Sequence, residues 1–168
     1  MKISKKSPDD IDIDFSLAQA NLFSSIGMLT VNFVSLEFSI IETISILNSS
    51  TDVNSTFRLL AGDNCATLIK KLKVIFNYKI NDQILLNIFN DIHKELDSIR
   101  IERNKFLHSF LSVDKDGKVT RRKLRTNLKP DPIIETEILD LKNLENFIQR
   151  IIDAELSLKD LNKKLLNN

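Results

Sequence analysis

The side chains best suited to chemistry in this sequence stand close together, in Arg103-Asn104-Lys105-Phe106-Leu107-His108. An imidazole exchanges a proton near neutral pH. A guanidinium holds phosphate and stabilises the charge that grows on it in a transition state. A carboxamide positions either group by hydrogen bonds. Together they suffice to cut a phosphodiester without a metal ion. RNA brings its own nucleophile, the 2′-hydroxyl. The protein need only activate it, stabilise the phosphorane-like state and protonate the leaving oxygen; DNA lacks that hydroxyl. Asn104 and His108 are four apart and share a helix face. His108 follows Arg103 by five residues, a rotation of about 140°, so the two side chains can converge over one edge of a helix or on the groove beside it.

Arg103 interrupts an apolar row. Ile92, Leu96, Ile99, Phe106 and Phe110 lie at offsets of −11, −7, −4, +3 and +7 from it, which is one helix face. A guanidinium on a packed face cannot shed its charge and must find a carboxylate, a phosphate or carbonyl groups. One carboxylate stands out as a partner. Glu37 sits in the apolar run Phe33-Val34-Ser35-Leu36-Glu37-Phe38, where an unpaired acid is costly. If the first and third helices pack antiparallel, Glu37 reaches Arg103. Such a pair either orients Arg103 for catalysis or simply holds the bundle together.

The hexapeptide, late in a long helix of a small helical protein, resembles the motif of the HEPN superfamily: an Arg, a polar residue, three to five further residues and a His. The resemblance is strong over the motif and loose over roughly residues 16–165. It implies a bundle of four or more helices, a homodimer whose two motifs form one composite cleft, and metal-independent endoribonuclease activity with no cofactor. It also implies a cytoplasmic toxin or antiviral defence effector, with a protein antitoxin or regulator as a further partner. Arg103 and His108 would be catalytic and Asn104 supporting. The match departs at one place: many active members carry an acid four positions before the Arg, and here that position is Ile99. A catalytically silent scaffold that binds RNA or protein is therefore a second reading, and a purely structural bundle with Arg103 as a core ion-pair residue is a third.

The strongest charge feature follows the motif. Lys115, Lys118, Arg121, Arg122, Lys123, Arg125 and Lys129 suit a nucleic-acid backbone, with contacts that position without reading bases; an ordinary solvated loop can look the same, but the closeness to His108 favours RNA. The next segment is acidic, with Asp131, Glu135, Glu137, Asp140 and Glu145. His93 lies about four helical turns before His108 and reads as a boundary residue. Two histidines and one cysteine do not form a recognisable zinc set. No EF-hand loop follows the acids Asp9 to Asp14, and no glycine-rich phosphate loop occurs. No metal site is expected.

The elements that must position these residues are helices. With 42% hydrophobic residues, 3 Gly and 3 Pro in 168 residues, long helices are favoured and one all-α domain is expected. A net charge of +1 neither demands nor forbids a nucleic-acid partner. Cys65 stands alone, so no intrachain disulfide forms. Residues 1–14 read as a loose leader without the apolar stretch of a signal peptide. Phe15 to Leu36 carries no charged side chain, but its Ser, Thr, Asn and Gln content favours a buried amphipathic helix over a membrane span.

An up-and-down bundle follows from the periodicity. The first helix runs from Ser16 to about Leu47 on a row from Leu22 to Ile44, and Asn48-Ser49-Ser50-Thr51-Asp52 stops it. The second region runs from about Thr56 to Phe76, with an interruption near Gly62-Asp63. The third, capped by Asn81 or Asp82, buries Ile84, Ile88, Ile92, Leu96, Ile99, Phe106 and Phe110 and ends near Leu111 or Ser112. Asp114 to Lys118 is a turn with Gly117 at positive φ, flanked by a short hairpin or an irregular loop. Lys129-Pro130-Asp131-Pro132 breaks regular structure. A last helix runs from about Leu141 toward Leu165 with a break near Ser157.

Overall fold

A computed structural model describes residues 8–49, 52–125 and 133–167; for residues 8–14, 53, 124, 125 and 133 it describes the backbone only. Residues 1–7 of the expected loose leader 1–14, and the Lys129 to Pro132 break, lie outside the described residues, whereas residues 8–14 are helical. The described chain forms five helices and a small antiparallel sheet: α1 (Pro8–Leu47), α2 (Val53–Leu60), α3 (Cys65–Lys79), α4 (Gln83–Leu107), β1 (Phe110–Val113), β2 (Val119–Arg125), β3 (Ile133–Ile138) and α5 (Leu141–Leu166). The all-α class is as the periodicity predicts. Two compact units divide it. A sheet-bearing unit comprises Met1–Leu29 and Asn104–Asn146, and a helical unit comprises Thr30–Arg103 and Phe147–Asn168.

Within the helical unit, the apolar row of α1 is buried as expected: Phe33, Leu36, Ile40 and Ile44 are all at most 2% exposed. Polar groups on the inner side of α1 are satisfied locally. The Thr43 hydroxyl donates to the Ser39 carbonyl, and the Thr56 hydroxyl of α2 donates to the Ser45 hydroxyl. The interruption at Gly62-Asp63 is real and separates α2 from α3. Each starts with a side-chain cap: Asp52 accepts from the Asn54 N–H and Asn64 from the Thr67 N–H. The Phe76 and Phe89 rings stack across α3 and α4, with centroids 4.0 Å apart.

That stack explains one difference from expectation on α4. The buried row begins with Leu85 and Phe89, while Ile84 is 71% exposed; Phe89 takes the inward position because Phe76 faces it. Asp82 caps this helix, accepting from the N–H groups of Ile84 and Leu85. The helix begun in α1 also starts earlier than Ser16, at Pro8. Proline suits a first helical turn, where its missing N–H has no partner to lose. From Phe15 to Leu47, α1 is long and apolar enough to cross a membrane by length and composition. In α5 the expected break near Ser157 does not occur; its hydroxyl donates to the Asp153 carbonyl one turn back, and the helix continues to Leu166.

The sheet-bearing unit holds the largest departure. α4 ends at Leu107, not near Leu111, so Phe110 belongs to β1 and not to the helical row. The hydroxyl of Ser109 takes the Lys105 carbonyl, and the Ser109 N–H closes a tighter turn on the Phe106 carbonyl. The chain then enters a hairpin. The Asp114 carboxylate accepts from the N–H groups of Asp116 and Lys118, and Gly117 takes φ 76°. A third strand that the periodicity did not predict completes the sheet in the order β1-β2-β3, both pairings antiparallel.

Candidate functional site

Arg103 is the last residue of α4 in the helical unit, and it is half-buried. Its guanidinium carbon lies 4.5 Å from the centroid of the Phe33 ring, and Phe33 is itself 2% exposed. The missing apolar residue of the α4 row is thus replaced by a cation on an aromatic face. Glu37, one turn along α1 from Phe33, feels that charge. Burial pushes the Glu37 carboxyl above its ordinary value, and Arg103 pulls it only part of the way back. Arg103 thus acts on Glu37 through its charge.

Cys65 shares this environment and is buried. Burial, reinforced by the Glu37 carboxylate, pushes its thiol up to about 12. A cavity of about 360 Å³ opens nearby between α1, α2 and α3, with Val34, Phe38, Phe57 and Leu68 in its wall, and it meets the candidate site only at Glu37.

The acids that precede the motif are committed elsewhere. Arg150 of α5 donates to Glu95 at 2.8 Å, to Glu102 at 2.6 Å and to the Ser98 hydroxyl at 2.9 Å. The hydrogen bonds that Arg150 donates to Glu95 and Glu102 raise its pKa. Sequence reasoning missed Arg150, because its partners lie 55 and 48 residues away. Ile99, where many members of the resembled family carry an acid, is fully buried. His93 is half-buried near the Phe89 ring, and burial together with Lys73 depresses its pKa.

In the sheet-bearing unit, Asn104 is half-buried and His108 is exposed. The His108 N–H donates to the Asn104 carbonyl at 3.1 Å, the last helical bond before the chain turns away. This holds the backbone of His108, whose side chain lies at the exposed end of the helix.

The basic segment does not act as one patch, because strand alternation divides it. Arg121 points to the face that covers the end of α4. Its guanidinium lies 5.4 Å from the Phe106 centroid and pairs with Glu137 at 2.5 Å. Lys123 shares that face and stands opposite Glu135 in the register. Arg122 points the other way, exposed, between Phe110 and Thr136. Lys115 and Lys118 are exposed at the hairpin turn, and Arg125 is described in its backbone only.

Among the described residues no group of three or more His, Cys, Asp or Glu side chains is arranged to hold a metal ion. Comparison with protein-family models, with curated proteins and with solved structures returned no match.

Proposed function

We propose that this chain is a metal-independent endoribonuclease of HEPN type, acting on RNA through a 2′,3′-cyclic phosphate. The observation that carries the reading is the placement of His108: a lone imidazole in solvent at the turn that ends α4, with its backbone held by Asn104. In this reading His108 moves the protons. Arg103 stabilises charge on the phosphorus-bound oxygens, and Asn104 orients the imidazole or the substrate. A homodimer brings two motifs into one cleft. The biological setting, a cytoplasmic toxin or defence effector restrained by an antitoxin or regulator, follows from the resemblance alone.

The reading is tested by end analysis of the products. Cleaved RNA is expected to carry a 2′,3′-cyclic phosphate, and a single 2′-deoxy substitution at the cut nucleotide is expected to block that cut. Products with a 3′-hydroxyl would exclude this chemistry.

A second reading has its own support. Arg103 rests on Phe33, Glu95 and Glu102 are engaged by Arg150, and Ile99 is buried. Such an Arg suits a catalytically silent scaffold that binds RNA or protein. Intact RNA after incubation, with binding retained, would favour it.

A further inference from the structure

The two faces of the sheet differ in a way that the helical fold does not require. Acids are confined to one face, where Glu137 pairs with Arg121 and Glu135 stands opposite Lys123. On the other face the described side chains include no acid and one cation, Arg122. That face also exposes Phe110 at 64%, Ile134 at 63% and Ile138 at 72%. Phe110 and Arg122 are direct cross-strand partners, which puts their Cβ atoms roughly 5 Å apart. Large apolar side chains left in water on an acid-free sheet face mark a binding surface.

We infer that this face is a stacking platform for single-stranded RNA, with a nucleobase on Phe110 and an adjoining phosphate on Arg122. The inference rests on the ribonuclease reading and adds to it the form of the substrate and the place where it lies. An aromatic ring beside a cation is the pair that single-stranded nucleic acid uses, because every base has a π-face and every nucleotide a charge. A duplex keeps its bases stacked inside and offers the ring nothing.

The cation also favours this occupant over a second copy of the chain: a symmetric contact through Phe110 would bring two Arg122 side chains together with no acid on that face to separate them. The platform is continuous with the candidate site as well. Phe110 follows His108 by two residues, at most about 7 Å of extended chain. A base stacked on Phe110 therefore delivers a neighbouring phosphodiester to the imidazole.

The test is fluorescence anisotropy with a labelled oligouridylate whose 2′-hydroxyls are methylated, so that it is bound and not cut, and a blunt RNA duplex, using the full chain. Phe110→Ala is expected to weaken oligouridylate binding about tenfold, within the range that single aromatic truncations show. Phe110→Tyr keeps the ring and is expected to bind within about twofold of wild type. Arg122→Glu is expected to weaken oligouridylate at least as much as Phe110→Ala, and circular dichroism checks its fold. Duplex binding is expected to be unchanged by either Phe110 variant.

If wild type binds oligouridylate and Phe110→Ala binds it equally well, the platform is wrong and the ribonuclease reading stands. If wild type binds neither RNA, both fall. A Phe110→Ala variant that loses self-association by light scattering, with RNA affinity intact, would assign the face to a second copy and overturn the inference.

Discussion

The guanidinium of Arg103 sits over the ring of Phe33, 4.5 Å from its centroid, at the position where the α4 row would otherwise place an apolar side chain. An aromatic face holds a guanidinium without neutralising it. The charge of Arg103 is felt at Glu37 and at Cys65. Arg103 is thus both part of the packing and a source of positive potential, and its loss has two consequences.

The first consequence is for stability. Arg103→Ala removes a half-buried cation–π contact and a cation that acts on Glu37. It is expected to lower the unfolding free energy by about 1–3 kcal/mol. Arg103→Lys keeps the charge but not the planar fork, and is expected to recover roughly half of that. Urea titration of the three proteins measures the difference. Equal midpoints would show that Phe33 gains nothing from its partner.

The second consequence is a pH dependence. The folded Glu37 carboxyl holds its proton to higher pH than the unfolded one, whose ordinary value is 4.5. Between those values the folded state binds more protons, so this contribution to stability is full below 4.5 and is lost as pH rises through the folded value. Glu37→Gln is expected to flatten that segment of the stability curve, and Arg103→Ala to steepen it. Urea midpoints from about pH 4 to about pH 8 supply the test. A curve for Glu37→Gln that runs parallel to wild type would remove Glu37 as its source.

Arg150 is expected to matter for the fold and not for RNA. Arg150→Ala leaves Glu95 and Glu102, about two turns apart on α4, without their shared cation. All three groups are partly solvated, so the expected loss is about 1 kcal/mol, reduced by added salt. Thermal melts at low and high salt read this out. A loss of several kcal/mol that ignores salt would mean that packing on Phe147 dominates.

Salt dependence separates the two neighbouring arginines. Arg122→Ala is expected to reduce the slope of log affinity against log salt by about 0.7, the value of one phosphate contact on a single strand. Arg121 already serves Glu137 and Phe106, so Arg121→Ala is expected to change stability and leave the slope nearly as it is. Slopes reduced equally by both would show that Arg121 leaves Glu137 to bind RNA.

The helices were legible because their rows, caps and stops are local. Leu22 to Ile44, the Asp82 cap and the Gly62-Asp63 interruption each announce themselves within a few residues. Phe110 was misplaced because a spacing of +7 continues a helical row equally well when the backbone has already turned. The competing signal was Ser109, together with the hairpin turn ahead of it. In β3 the acids catch the eye before the alternation does. Its alternation in Ile134-Glu135-Thr136-Glu137-Ile138 is a period of two that marks a strand. The basic segment looked like one patch because a list of residues has no faces; β2 gives it two. The Arg150 cluster was invisible, since no local rule pairs α5 with α4. The motif itself was fully legible, and the structure adds the ring under Arg103 and the solvent around His108.

The central claim rests on His108, and a gel of labelled RNA with wild type and His108→Ala, each with and without EDTA, tests it most directly. His108 is exposed, so its truncation is expected to leave the fold and RNA affinity nearly intact. Loss of a placed imidazole is expected to slow cleavage roughly 10²–10⁴-fold, in the chemical step and not in binding. Wild-type cleavage is expected to persist in EDTA, and a matched DNA strand to survive. Undiminished cleavage by His108→Ala, or wild-type cleavage that vanishes in EDTA and returns with magnesium, would contradict the account.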